Sequence, residues 1–169
     1  MKKDKMPMLI LAFLIAALPP IWAVVSPYIG VKTGSVALIC AGLYVANGNQ
    51  RKNALKICLG FIAGDIWAVL AVFIMEKLSL SPNVELYATL FVLGALAVCI
   101  GETFAKFLFT PSWLCGWAIG LTIMGPMSVK SLGTLPIQIG IAMVVGVVYV
   151  GMGVDACQKL LLKWVRKNG

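Results

Sequence analysis

The sequence predicts an all-α, polytopic membrane protein with six transmembrane helices. Hydrophobic residues make up 61% of its 169 residues and charged residues 12%, and the mean hydropathy is +0.98. These values lie well outside those of soluble globular domains. Apolar runs recur along the whole chain and leave no polar block long enough to fold alone, so we expect one integral membrane domain over residues 1–169.

The first predicted span runs from about Met6 to Val25, after a basic start that is typical of a signal peptide. Pro19 and Pro20 fit a cleavage region poorly, so we expect an uncleaved span. The two prolines should kink or break it, because each removes a backbone donor and the residue before a proline disfavours helical geometry. The second span, about Thr33 to Asn47, is shorter than the ~20 residues that cross a ~30 Å hydrocarbon core.

Four further apolar runs complete the predicted bundle. Pro111 lies near the start of the fifth span, and Gly125-Pro126 ends it. A basic tail follows the sixth span. We expect these spans at about Ala54 to Met75, Val84 to Ala105, Phe107 to Met124 and Leu135 to Cys157.

The distribution of cations predicts that both termini are cytoplasmic. With six spans and a cytoplasmic N-terminus, eleven Lys and Arg residues lie inside and three lie outside. Such a bias follows the positive-inside rule, which favours a multi-pass protein with both termini inside. The inside residues are Lys2, Lys3, Lys5, Arg51, Lys52, Lys56, Lys106, Lys159, Lys163, Arg166 and Lys167; the outside ones are Lys32, Lys77 and Lys130.

A weak internal likeness suggests a 3+3 inverted repeat with halves at about residues 1–80 and 83–163. The junctions SPYIGVKTG and TPSWLCGWAIG each place Ser or Thr, then Pro, before a helix start with two glycines four apart. They lie on opposite sides of the membrane in the predicted topology, as inverted halves require. Chance is the alternative, because Gly, Pro and Ser are common at helix ends.

Asp65 is the main candidate for a functional residue, since it lies in the middle of the apolar run Leu59 to Phe73. Insertion scales assign a central carboxylate a cost of roughly 2.5–3.5 kcal/mol, so such residues usually face a protein interior or a wet pathway. The alternative is an Asp that hydrogen-bonds neighbouring helices and has no site role.

Tryptophans and prolines near mid-depth suggest a substrate path, because irregular backbone inside a membrane occurs where it lines a cavity. Packing is the alternative for each residue taken singly. The predicted path contains Asp65, Trp67, Thr110, Pro111, Trp113 and Trp117.

Two other patterns have structural interpretations. Small residues in stripes let helix backbones approach closely, within or between protomers, and this favours a homo-oligomer. The stripes contain Gly60, Gly64, Gly94, Gly101, Gly146 and Gly153. Acid and lysine four residues apart predict interfacial ion pairs, or gates, at Glu102 with Lys106 and Asp155 with Lys159.

The composition argues against enzymes and nucleic-acid binders. Histidine is absent, the five cysteines have no CxxC spacing, and no glycine-rich phosphate loop follows a strand pattern. We therefore expect no metal, no cofactor and no catalysis. The net charge of +8 is spread between apolar runs rather than on a basic domain, so we expect no nucleic-acid partner.

The elements Gly64, Trp67, Ala68 and Phe109, Pro111, Gly116 resemble the YcdZ-like family of small bacterial inner-membrane proteins. The likeness covers most of the chain. The family is one of unknown function, so the resemblance implies a bacterial inner membrane and little more. In size and span count the chain is also similar to proton-gated urea channels and to the substrate-binding subunits of energy-coupling-factor transporters. It lacks the acidic, histidine-rich outer loops of the former.

The function predicted from these features is a channel or facilitator for a small neutral or weakly polar metabolite, such as a urea-like, amide-like or short-chain compound. No nucleotide site is visible that would power a pump. The alternatives are a ligand-binding subunit of a larger transporter and an accessory membrane protein that transports nothing.

Overall fold

The computed structural model describes residues 5–78 and 80–168, of which no residue lies in a strand. Helices account for 84% of the described residues, so the all-helical prediction is confirmed. The helices are α1 (Met6–Val25), α2 (Val36–Ala46), α3 (Ala54–Lys77), α4 (Pro82–Thr103), α5 (Thr110–Met124), α6 (Leu135–Val145) and α7 (Val154–Asn168).

Four helical runs within the described segments are long and apolar enough to cross a membrane. They cover Met6–Ile29, Arg51–Lys77, Pro82–Thr103 and Leu135–Lys167. Helices α2 and α5 are shorter, with 11 and 15 residues. Helix α2 begins late because turns follow Gly30, whose φ of 83° ends the preceding 3-10 turn.

Helix α1 continues through Pro19 and Pro20 and ends only at Val25. The predicted break at these prolines therefore does not occur. Two adjacent prolines remove only two helical hydrogen bonds, and apolar helices of this length tolerate them when local adjustments satisfy the freed carbonyls.

The last helical run is longer than the predicted sixth span, because a π-helical segment (Gly146–Gly153) joins α6 to α7 without a break. The combined run extends to Lys167 rather than ending at Cys157. Glycines occupy three of the eight positions of this π segment. A π-helix is wider than an α-helix and is commonly found at functional positions.

The tightest packing in the bundle joins α3 to α5. A methyl group added to Gly64 would lie 2.5 Å from the Trp117 backbone nitrogen and 2.8 Å from the Gly116 carbonyl carbon. One added to Gly60 would meet the Ser112 hydroxyl group. The two backbones are therefore in direct contact, which only glycine permits at these positions.

A second close pair joins α2 to the π segment. A methyl group on Gly146 would lie 2.7 Å from the Ala37 Cα atom, and one on Gly151 would lie 2.7 Å from the Tyr44 ring. Helix α4 packs against α3 and α5, whereas α1 packs against α7. The bundle thus consists of two glycine-joined pairs. One is α3 with α5, beside which α4 packs, and the other is α2 with the π segment, beside which α1 lies.

One end of the bundle carries most of the positive charge. There the Lys56 ammonium group donates a hydrogen bond to the Ala105 carbonyl (3.2 Å), and the Arg51 guanidinium group lies 3.9 Å from the Asp155 carboxylate. We call this the basic end; it is formed by residues 47–56, 103–110 and 155–168.

The connections at the other end are also joined by hydrogen bonds. The Lys32 backbone N–H donates to the Gln138 side chain (3.1 Å), and the Glu76 carboxylate accepts from the Ser128 hydroxyl (3.0 Å) and the Val129 N–H (2.9 Å). The apolar runs therefore connect the same two ends alternately.

Alanine substitution of Gly64 should lower the free energy of unfolding by about 1–3 kcal/mol, the usual cost of overpacking. The added methyl group meets backbone atoms of α5, which cannot move aside like a side chain. Thermal unfolding of the purified chain in detergent, followed by tryptophan fluorescence, measures the effect. Gly42→Ala in α2 is the matched control, because no atom lies within 4 Å of the new methyl group. Equal melting temperatures for the two variants would contradict the α3–α5 contact.

Candidate functional site

Asp65 lies where α3 meets both α5 and α6. Its side chain is 6% exposed, and its Oδ1 atom is buried with no hydrogen-bond partner among the described residues. A methyl group on Gly120 would lie 3.5 Å from Oδ1, and one on Gly140 would lie 3.6 Å from Oδ2. The carboxyl group therefore occupies space that two glycines leave open, one on each neighbouring helix.

A groove of about 510 Å³ leads from Asp65 to the outer surface of the bundle between α3 and α6. Its walls are aliphatic, and among the described residues that line it Asp65 alone has an ionisable side chain. The main wall residues are Ile62 and Ile66 on α3 and Ile137, Gly140 and Ile141 on α6.

The tryptophans of the predicted path lie on another side of α3. Positions 65 and 67 are about 200° apart around a helix, so Trp67 points toward α4 while Asp65 points toward α6. The Trp67 indole donates to the Leu93 carbonyl (3.0 Å) and meets Trp113 edge to face, with ring centroids 5.1 Å apart. Trp117 lies near Gly94 of α4. The structure therefore groups the three tryptophans together and separates them from Asp65.

The indole nitrogens of Trp113 and Trp117 are buried without hydrogen-bond partners among the described residues. Such groups cost free energy when they remain unpaired. A shallow depression beside Trp117 lies between α4 and α5, and Asp65 does not line it.

Thr110 and Pro111 lie at the basic end, where α5 begins, and not beside Asp65. The Thr110 hydroxyl donates to the Glu102 carboxylate at 3.1 Å. Helix α4 ends at Thr103, so Lys106 lies beyond the helix and the predicted pairing of Glu102 with Lys106 has no helical spacing to support it. Glu102 contacts Thr110 instead.

Asp155 and Lys159 form an ion pair of 2.7 Å across one turn of α7. Asp155 is 5% exposed, and Arg51, from the turn before α3, is a second cation beside it. Sequence spacing alone did not indicate Arg51, because it is more than 100 positions from Asp155 along the chain.

The predicted small-residue stripes differ in what they contact. Gly101 faces the Thr110 side chain at close range, whereas Gly94 faces the Trp117 ring at ordinary van der Waals distance. Gly153 has only a distant backbone atom of its own helix nearby. Within the described segments, no three His, Cys, Asp or Glu side chains are grouped so that they could hold a metal ion.

The arrangement at Asp65 suits recognition of a small polar molecule. A carboxyl group with free hydrogen-bonding capacity lies at the inner end of an aliphatic groove, and the groove shows no partner nucleophile or cation for it. It can accept hydrogen bonds from N–H or O–H groups of a small molecule, or pass a proton.

Comparison with known proteins places the chain in a family. Residues 12–158 match the family described as "Protein of unknown function (DUF1097)". Neither the curated proteins nor the solved structures contained a match. The prediction of a family of unknown function is thus confirmed, and because the match covers most of the chain, this protein belongs to the DUF1097 family.

Proposed function

We propose that the chain is a membrane facilitator for a small neutral or weakly polar solute, and that the groove between α3 and α6 is its binding site. The observation that carries the proposal is the buried Asp65 carboxyl group, whose Oδ1 atom has no protein partner although a groove reaches it. A polar group kept at such cost inside a membrane usually contacts a solute, an ion or a proton.

In this proposal Asp65 accepts hydrogen bonds from the solute, and Gly140 keeps its Oδ2 atom accessible. The isoleucines of the groove exclude large polar molecules and favour compact ones with few donors, such as ureas, amides and short-chain compounds. The tryptophans do not touch the solute here. They form a wall between α3, α4 and α5 that holds α3 in place.

An inverted repeat supports a transport role. If residues 1–80 correspond to 83–163, then α3 corresponds to the α6 run and α5 corresponds to α2. The glycine-joined pair α3–α5 is then equivalent to the pair that α2 forms with the π segment. The two short helices, α2 and α5, also occupy equivalent positions, and short interrupted helices at matching places mark binding sites in transporters of this kind.

The groove lies between the two glycine-joined pairs. Each pair has backbone contacts that resist deformation, whereas α3 and α6 meet across the groove through side chains. Rocking of one pair against the other would expose Asp65 to alternate ends of the bundle without breaking either glycine contact.

A second candidate function is a subunit of a larger membrane complex, either binding a ligand for a transporter or acting without transport. The observation in its favour is the filled centre of the bundle, where large apolar side chains are fully buried. They include Ile57, Phe61, Ile139, Met143 and Val147. A partner helix in the groove would then replace the solute beside Asp65.

We further propose six membrane spans in a bacterial inner membrane, with both termini cytoplasmic and the protein assembled as a homo-oligomer. The alternation of the apolar runs between two ends supports six spans, and the concentration of cations at the basic end supports its cytoplasmic location. The YcdZ-like resemblance supports the inner membrane.

Cysteine accessibility tests this topology. In a variant that lacks the five native cysteines, a cysteine at Lys130 should react with an impermeant maleimide added to whole spheroplasts, whereas one at Lys52 should react only after permeabilisation. Both positions are exposed, so access to the reagent depends on the side of the membrane. Labelling of the Lys52 position from outside would reverse or refute the orientation.

Flux measurements test the role of Asp65. Proteoliposomes should pass at least one solute from a panel of ureas, amides, aldehydes and short acids, and Asp65→Asn should reduce that flux about tenfold, the effect of weakening one hydrogen bond to a buried polar group. Glu102→Gln, which changes a carboxylate outside the groove, should leave it unchanged. Absence of wild-type flux for every solute would count against the facilitator and favour the complex subunit.

A plug in the groove provides an independent test. Ile137 is 64% exposed and lines the groove, so Ile137→Trp should occlude Asp65 and abolish flux while the fold is retained. The control is Val92→Trp on α4, at a position that is also exposed but outside the groove. If both tryptophan variants transport equally well, the solute does not use this groove.

A further inference from the structure

A separate slot of about 290 Å³ lies between α1, α2 and the start of α7. It exists because α1 is fastened to the last helical run and leaves the adjoining face of α2 largely uncovered. The Tyr149 hydroxyl donates to the Leu18 carbonyl (3.2 Å), and the Gln158 amide donates to the Pro7 carbonyl (3.0 Å). These two contacts hold α1 away from α2 along most of its length.

The slot is long, narrow and apolar. From Leu11 to Pro19 it follows α1 for about 12 Å, at the 1.5 Å rise of an α-helix. Gly42 widens it on the α2 side, because no atom lies within 4 Å of the position that a side chain would occupy there. This shape matches an extended hydrocarbon chain lying parallel to the helices. The other apolar wall residues used here are Ile15, Leu38 and Val45.

The slot ends in polar groups at the basic end. Asn49 adopts a left-handed conformation with φ of 55°, and its Oδ1 atom is buried without a partner among the described residues. Asp155 and Gln158 complete this polar end. Asn adopts this conformation more readily than most residues, so the turn places its side chain at the end of the slot without strain.

Two cations stand beside this polar end. Lys159 and Arg51 lie 2.7 Å and 3.9 Å from the Asp155 carboxylate, and their side chains are 62% and 55% exposed. Asp155 neutralises one positive charge and orients both groups, so one net positive charge remains at the mouth of an apolar slot.

We propose that this slot binds a phospholipid with an anionic head group. One acyl chain lies between α1 and α2, the phosphate group lies beside Arg51 and Lys159, and the Asn49 Oδ1 atom accepts a hydrogen bond from a head-group hydroxyl. Anionic lipids are attracted to basic clusters at the cytoplasmic surface of membrane proteins, and basic pockets between helices hold their head groups. The inference does not depend on the transport function, because the slot does not include Asp65.

Native mass spectrometry of the full chain in detergent tests this inference, with phosphatidylglycerol and phosphatidylcholine of the same acyl chains as probes. Phosphatidylglycerol should bind about tenfold more tightly, as expected for one or two well-placed cations. Arg51→Gln/Lys159→Gln should remove this preference, and Gly42→Leu should weaken both lipids by filling the slot. Glycerol 3-phosphate, which has the head group without a chain, should not bind.

The matched control is Lys163→Gln/Arg166→Gln, which also removes two positive charges at the basic end, but from positions of α7 that do not line the slot. If both double variants lose the preference for phosphatidylglycerol to the same extent, the lipid is attracted by the overall positive charge, and the proposed site is wrong. Unchanged binding in Gly42→Leu would place the acyl chain elsewhere and also overturn it. Because the loss of both cations leaves Asp155 buried and unpaired, circular dichroism checks that double variant, while Gly42→Leu leaves the ion pairs intact.

Discussion

The contact between the α3 and α5 backbones is the constraint on which the rest of the structure depends. Gly60, Gly64 and Gly116 remove the side chains that would normally hold two helices about 8–10 Å apart. Dispersion contacts and weak backbone interactions then replace side-chain packing over several turns. The α3–α5 contact occupies one face of α3 and leaves its other faces for the remaining helices. Helices α4 and α6 therefore pack on either side of this contact.

This arrangement explains why Asp65 and the three tryptophans contact different helices, although Trp67 is only two residues from Asp65 along α3. The α5 contact occupies one face of α3, the indoles occupy the face toward α4, and Asp65 is left at the face toward α6. The acid is then sheltered by glycines on both sides, Gly120 and Gly140, which contribute no hydrogen bonds. Its lack of a partner is thus a result of the same small residues that allow the helices to pack.

The all-helical class, the long apolar helices and the close packing at several glycines could be predicted from the sequence, because composition and glycine spacing are local signals. The sequence does not predict which helices are neighbours in the bundle. A helical wheel separates Asp65 from Trp67, but it does not say that α6 rather than α4 faces the acid. The Glu102–Lys106 pairing depended on where α4 ends, and helix ends are the least certain part of a sequence-based assignment. Arg51 joins Asp155 only through the tertiary fold.

The helical run from α6 through the π segment into α7 is unbroken, so a small rotation near its middle produces a larger displacement at its end. Its 33 residues correspond to about 50 Å, which exceeds the ~30 Å hydrocarbon core of a bilayer. A rotation of about 10° at the π segment would move the far end of α7 by about 4 Å, since its 15 residues rise about 22 Å. Any displacement of α6 beside Asp65 is therefore magnified at the charged tip of the last helix, and the hydrogen bond from Gln158 to Pro7 transmits it to the first.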